Sequence, residues 1–149
     1  MKNLIIGIDP DCIASGVATK NTIDGGLSLA DLSFWDLFQY FNSQKENIKI
    51  VRVEASWLIG GNWHTKAKGT AALNASIGSR TGANHQTGKF IVEMCKFLEI
   101  PFEEVKPLKK CWKGTGGKIS KAEFVAITNW KGPASQEVRD AYLLIHKLN

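Results

Sequence analysis

The amino-acid sequence predicts an α/β fold in which a mixed sheet carries helices on both faces. Three features point there. Short β-branched runs gather near the start of the chain, helical periodicity dominates later, and a strand–helix–strand crossover joins the two. At 149 residues the chain can bury one sizeable core but hardly a second, so a single domain over residues 1–149 is expected.

The elements follow in order. Leu4 to Ile8 is an apolar, β-branched run ending on Asp9, and Gly16-Val17-Ala18-Thr19 reads as its antiparallel partner. Asp24-Gly25-Gly26 marks a reversal into a short third strand, Leu27-Ser28-Leu29, completing a meander. Ser33 with Asp36 three places on resembles a helix start, and Phe34, Leu37, Phe38 and Phe41 recur at helical spacing. Ile48 to Val53 alternates apolar and basic residues as a strand does, and ends on Glu54. After a glycine-rich stretch over Trp57 to Gly61, helical spacing runs from about Lys66 to Glu99, with interruptions expected near Gly78 and Gly82 before Pro101 stops it. Phe102 to Val105 is the fifth strand candidate. Ser120-Lys121-Ala122-Glu123 is a capping box opening a helix to about Trp130, and Gly132-Pro133 separates it from a last helix over roughly Ser135 to Leu148.

Composition narrows the function classes. With 44% hydrophobic and 22% charged residues the chain is globular rather than disordered or fibrous. A net charge of +5 suits an anionic partner without requiring one. Cys12, Cys95 and Cys111 are odd in number and widely spaced, which fits reduced thiols better than a disulfide framework or structural zinc. No signal-peptide pattern or membrane-length apolar run is present, so a soluble, cytoplasmic protein is expected.

The chemistry resides in acids. Asp9 and Glu54 each end a strand, while Glu137 and Asp140 lie three residues apart near the start of the final helix, where one face can present both. Carboxylates gathered on rigid elements can bind hard divalent cations, and two such ions bridging a phosphodiester can activate water and stabilise the leaving oxygen. Each acid also has a purely structural use. Asp9 could cap the turn at Asp9-Pro10-Asp11, Glu54 could be a solvated strand end, and Glu137 could complement a helix dipole. Asp140, set among Val138, Ala141 and Tyr142, is harder to assign to solvent.

An ordered set of motifs adds to this. Ile6-Gly7-Ile8-Asp9-Pro10 followed by Ser15-Gly16-Val17-Ala18 resembles the opening of the RuvC-type Holliday junction resolvases. Val53-Glu54 with Trp57 is similar to the family's second acidic motif, and Gly82 to Val92 resembles the glycine-containing helix after it. Glu104-Val105-Lys106-Pro107, the loop Gly114-Thr115-Gly116-Gly117 and Lys121 resemble its V-K segment, G-x-G loop and helix-starting lysine, and Glu137-Val138-Arg139-Asp140-Ala141 resembles its closing D-x-x-D-A. The resemblance spans about residues 4 to 146. It implies a ribonuclease H-like fold, a homodimer, Mg²⁺ or Mn²⁺ with two ions per site, and paired incisions in branched DNA such as a four-way junction, in a bacterial or phage-infected cell. On this reading Asp9 bridges two ions, Glu54 holds one, and Asp140 with Glu137 completes the other's shell.

The chain departs from the family pattern in three places. Asp11 replaces a glycine and adds negative charge beside Asp9, Glu137 stands where Asp is usual, and the Gly114 to Lys121 stretch is one residue longer. Lys118 and Lys121 therefore compete for the family's lysine position. The loop from Lys109 to Lys118 mixes cations, glycines and an aromatic, suiting either close approach to phosphates or a solvated surface, and it lacks nucleotide P-loop spacing. With the resemblance, Lys106, Lys118 and Lys121 become candidate phosphate contacts. Trp57 becomes a candidate for stacking on an unpaired base, with a core or interface tryptophan as its other reading and Trp63 and His64 as alternatives for the role. His85 reads as a polar helix residue and His146 as an exposed or capping one. Two other functions compete with junction resolution: a broader nuclease for flaps or forks, and a non-catalytic branched-DNA-binding module. An actin-like ATPase needs two lobes and more chain than this.

Overall fold

The computed structural model describes residues 1–59 and 70–149. Five strands form one mixed sheet: β1 (Leu4–Asp9), β2 (Ser15–Asn21), β3 (Leu27–Leu32), β4 (Ile48–Glu54) and β5 (Phe102–Val105), in the order β3-β2-β1-β4-β5. The opening meander is antiparallel, whereas β4 lies parallel to β1 and β5 parallel to β4. Those parallel pairings need crossovers, supplied by α1 (Phe34–Gln44) and α2 (Ala71–Phe97). Helices α3 (Lys121–Thr128) and α4 (Gln136–Leu143) follow the sheet. Among the described residues no helix is long and apolar enough to cross a membrane.

The pleat divides the core in two. Ile6, Ile8 and Val17, with Val51 and Val53 of β4, pack with Leu37 and Phe41 of α1 and Ile91 and Cys95 of α2. Ile5 and Ala18 turn the other way, to Phe124 of α3 and to Ala141, Tyr142 and Ile145 in and after α4. Helices thus cover both faces, as the sequence predicts. Each fully buried Ile, Leu or Phe contributes roughly 1.5–3 kcal/mol, so either layer alone is a substantial core.

Helix α4 lies unusually close to the sheet because two glycines let it. A Cβ at Gly7 would collide with the Ala141 carbonyl, and one at Gly16 with the backbone of Glu137. Close approach at these two points sets the height of α4 over β1 and β2.

Several boundaries differ from the sequence expectation. α2 is one unbroken helix rather than one interrupted near Gly78 and Gly82, starting at the Thr70 cap, whose hydroxyl accepts from the Leu73 amide at 3.2 Å. Residues 66–69 of the expected helix lie outside the described residues. Two glycines cost about 1 kcal/mol each in a helix, too little to break one anchored by a packed C-terminal half. α4 ends at Leu143 instead of Leu148, with turns beyond it, and α3 stops at Thr128 because Asn129 adopts a left-handed cap at φ 57°. The three cysteines are free, and burial pushes the Cys95 thiol up to about 12.

Candidate active site

Sheet register brings the first two acids together. Because β1 and β4 run parallel with Ile8 opposite Val53, Asp9 and Glu54 finish neighbouring strands at the same edge of the sheet. Alternation gives them the same face: Asp9 shares the parity of Ile5 and Gly7, and Glu54 that of Ile50 and Arg52, whose guanidinium reaches the Leu144 carbonyl at 2.6 Å. That is the α4 face, from which Asp140 arrives. A slip of one residue in either strand would send its acid to the opposite side.

Asp9, Glu54 and Asp140 line one cleft of about 130 Å³. Its other walls are Pro107 to Lys110, Trp112, Leu143 and the segment Gly117 to Ile119. The Lys109–Lys118 loop folds on itself, with Trp112 N donating to Gly117 O at 3.0 Å and Gly114 N to Lys118 O at 2.8 Å, and the reversal uses left-handed backbone at Gly116 and Gly117. The loop ends by delivering Lys118, whose ammonium stands 3.4 Å from Asp140 Oδ2. The other oxygen of Asp140 accepts from Gln136 Nε2 at 2.8 Å, and Gln136 also donates to the Ile119 carbonyl at 3.2 Å. Arg139 reaches the Ile119 carbonyl too, at 3.3 Å, so the start of α4 is fastened to the strip that carries Lys118.

The electrostatics are those of crowded acids. Burial raises the Asp9 carboxyl to about 8, and the charges of Glu54, Asp140 and Glu137 push the same way while Lys118 opposes them. Glu54 is raised as well, first by burial and then by Asp140, against the pull of Lys118, Ser56 and Lys110. Among the described residues no three His, Cys, Asp or Glu side chains converge closely enough to hold one ion as they stand. The donor set nonetheless fits a hard divalent cation. It consists of carboxylate oxygens on two strand ends and a helix, and the burial and mutual repulsion that raise Asp9 and Glu54 are costs a cation would relieve.

The remaining sequence candidates lie elsewhere. Glu137 is exposed and outside the cleft lining, and its charge is the smallest of those named on Asp9. Lys106 and Lys121 are exposed, the first just after β5 and the second at the first position of α3, and neither lines the cleft. Trp57 is half-buried on the α1–α2 side, its ring over Gly88 and edge-on to His85 with centroids 6.4 Å apart. Trp63 and His64 lie outside the described residues. His146 is half-buried and hydrogen-bonds the Tyr142 hydroxyl at 2.9 Å. Asp11 is engaged by partners of its own. It accepts from the Ile13 amide at 2.8 Å and pairs with Arg80 at 3.3 Å, so the charge expected beside Asp9 anchors the turn to α2 instead.

Sequence reasoning missed Gln136, and it read the Lys109–Lys118 loop as a possible phosphate contact without singling out Lys109, Lys110 or Trp112 as cleft residues. The signal for Gln136 was available, since it precedes Asp140 by four residues, one full helical turn.

No family model and no curated protein matches the chain. Among solved structures, T. thermophilus RuvC in complex with a Holliday junction substrate aligns over 96% of this chain and 90% of that one, with a TM-score of 0.53 and 12% identity. The likeness is one of fold: a ribonuclease H-like mixed five-stranded sheet with, among the described residues, four α-helices.

Proposed function

We propose that this protein is a divalent-metal-dependent endonuclease for branched DNA, and that its preferred reaction is resolution of four-way junctions by paired incisions. The observation that carries the reading is that Asp9, Glu54 and Asp140 line one cleft together with Lys109, Lys110 and Lys118. Acids grouped this closely are costly to a fold and useful to a cation, and basic residues around them favour a polyanion. The junction-bound RuvC structure, alike in fold, supports the choice of branched DNA.

Asp9, Glu54 and Asp140 would hold the metal, with Glu137 reaching in from the rim of α4. When bound, Mg²⁺ or Mn²⁺ supplies activation of water and stabilisation of charge on the phosphodiester. The chain's own residues provide placement. Gln136 fixes one Asp140 oxygen so that the other faces Lys118, and the Lys118 ammonium is positioned to take a phosphate oxygen. Lys109 and Lys110 hold the backbone alongside, while Lys106 and Lys121 extend the basic track beyond the cleft. Trp57, packed as it stands, supports α2 and would need to leave Gly88 to stack on a base.

The test is a cleavage panel of synthetic four-way junctions, flaps, forks and plain duplex with Mg²⁺ or Mn²⁺, the cut positions being mapped. Symmetric paired nicks in the junction are expected. Cleavage confined to flaps or forks would replace resolution with a broader nuclease, and binding without cleavage under either metal would overturn the enzyme reading.

A further inference from the structure

The hydrogen bonds behind Asp140 form a chain that ends outside the cleft. Gln136, Arg139 and Asp140 stand at i, i+3 and i+4 on α4, so one helix face presents all three. Gln136 and Arg139 are half-buried, and neither lines the cleft. The Arg139 guanidinium donates to three separate places: Nε to the Ile119 carbonyl at 3.3 Å, Nη2 to Gln136 Oε1 at 2.8 Å, and Nη1 to the carbonyl of Ala134, just ahead of the helix. Gln136 in turn commits its amide nitrogen to Asp140 Oδ1 at 2.8 Å and to the Ile119 carbonyl at 3.2 Å.

The chemistry of these groups allows the amide one orientation. A guanidinium only donates, so the end of Gln136 that meets Arg139 must be its oxygen. Its nitrogen then faces a carboxylate and a carbonyl, which only accept. Reversed, the amide would set oxygen against two acceptors and N–H groups against a donor, and all three bonds would be lost. A glutamine side chain also surrenders much rotational freedom when it is fixed, and Arg139 supplies at one end a charge-assisted bond that answers the carboxylate at the other. Bonds arranged in such a chain polarise one another, so the guanidinium strengthens the donation to Asp140. Because Arg139 and Gln136 share the carbonyl of Ile119, the residue after Lys118, the same frame holds the ammonium that stands 3.4 Å from Asp140 Oδ2.

We infer that Arg139 is a positioning residue for the metal site: by fixing the Gln136 amide it holds the Asp140 carboxylate in the orientation it presents to a divalent cation. The inference rests on the metal-dependent reading proposed above and gives it a residue that touches neither cation nor substrate. The bland alternative is that Arg139 only anchors α4 through Ile119 and Ala134. The two differ in one respect, since an anchor acts independently of Gln136 and a positioning residue acts through it.

The experiment is a double-mutant cycle on the full chain with Arg139→Met, Gln136→Leu and the two combined. Mn²⁺ binding is read from the electron paramagnetic resonance of free Mn²⁺, and single-turnover junction cleavage is followed against Mn²⁺ concentration. Each single substitution should weaken Mn²⁺ binding about tenfold, as loss of a group that orients a metal ligand does. The combined variant should bind no more weakly than either single one, within about twofold. Cleavage should need correspondingly more Mn²⁺ while junction affinity stays unchanged. Arg139→Lys keeps one charge-assisted donor and should lose less than Arg139→Met. Far-ultraviolet circular dichroism checks folding, and should Arg139→Met fail to fold, Arg139→Lys carries the same cycle. Losses that multiply in the combined variant, or a folded Arg139→Met that binds Mn²⁺ as the native chain does, would overturn the inference. A native chain that cuts junctions while Arg139→Met changes nothing defeats this inference alone. A chain that shows the expected cycle in Mn²⁺ binding yet cuts no DNA defeats only the nuclease, and one that binds no Mn²⁺ overturns both.

Discussion

Asp9 occupies a place where a carboxylate is hard to ionise, and that strain has a measurable sign. Its folded-state value, about 8, lies above the ordinary 3.8, so the unfolded chain gives up this proton first as pH rises. Stability owed to the protonated form is complete below about pH 4 and is lost as pH climbs through about 8. In the absence of metal, Asp9→Asn should therefore melt higher than the native chain at pH 8, by about 2–4 °C per kcal/mol of relief, and no higher at pH 4. The same variant should bind junctions and fail to cut them; undiminished cleavage would remove Asp9 from the machinery. Mg²⁺ should act in the opposite sense to acid, raising the melting temperature more at pH 8 than at pH 6, because ligation needs the carboxylates ionised. Gln136→Leu removes one hydrogen bond to Asp140, and we expect a loss of about tenfold in turnover with junction affinity unchanged, measured by single-turnover cleavage.

Among the elements, α4 depends most on its neighbours. Gly7→Ala puts a methyl group against the Ala141 carbonyl, so the helix must rise from the sheet or β1 must bend. A destabilisation of about 1–3 kcal/mol is expected by denaturant titration, together with reduced cleavage as Asp140 moves with its helix. The acids were legible where their elements were. Asp9 and Glu54 end runs whose alternation fixes both strand type and face, and Asp140 interrupts an apolar helical stripe. Glu137 was less legible because a three-residue step leaves it about 60° around the helix from Asp140, enough to reach solvent, whereas the four-residue step to Gln136 leaves only about 40°. Lys109, Lys110 and Trp112 were legible as members of a basic, aromatic loop but not as residues of the cleft wall. They sit on a loop, where no periodicity announces direction, and only the hydrogen bonds that close it bring them to the cleft. The continuity of α2 was missed by weighting two glycines above the cap and the packed half that hold the helix together.

At the scale of the molecule, charge governs access to the cleft. The net charge is +5, and Lys109 and Lys110 stand on the cleft wall with Lys106, Lys113 and Lys121 on exposed positions of the same stretch of chain. Junction binding should weaken steeply with salt. Replacing Lys109 and Lys110 together by glutamine should lower the slope of log affinity against log salt by about 2, roughly one counterion for each phosphate no longer neutralised. A slope unchanged in fluorescence anisotropy titrations would move the DNA track off this wall.

Helix α2 carries one further consequence. From Gly88 to Cys95 its inner stripe is buried, yet between Ala71 and Ala83 every residue but Asn74 and Thr81 is exposed, Leu73 and Ile77 among them. A helical segment of that length is marginal when it stands alone in water. Amide protons in its first half should therefore exchange with deuterated solvent orders of magnitude faster than those between Ile91 and Cys95, although one uninterrupted ladder joins them. Slow exchange at Leu73 or Ile77 in the junction-bound protein, but not in the free one, would register the arrival of substrate at a distance from the acids themselves.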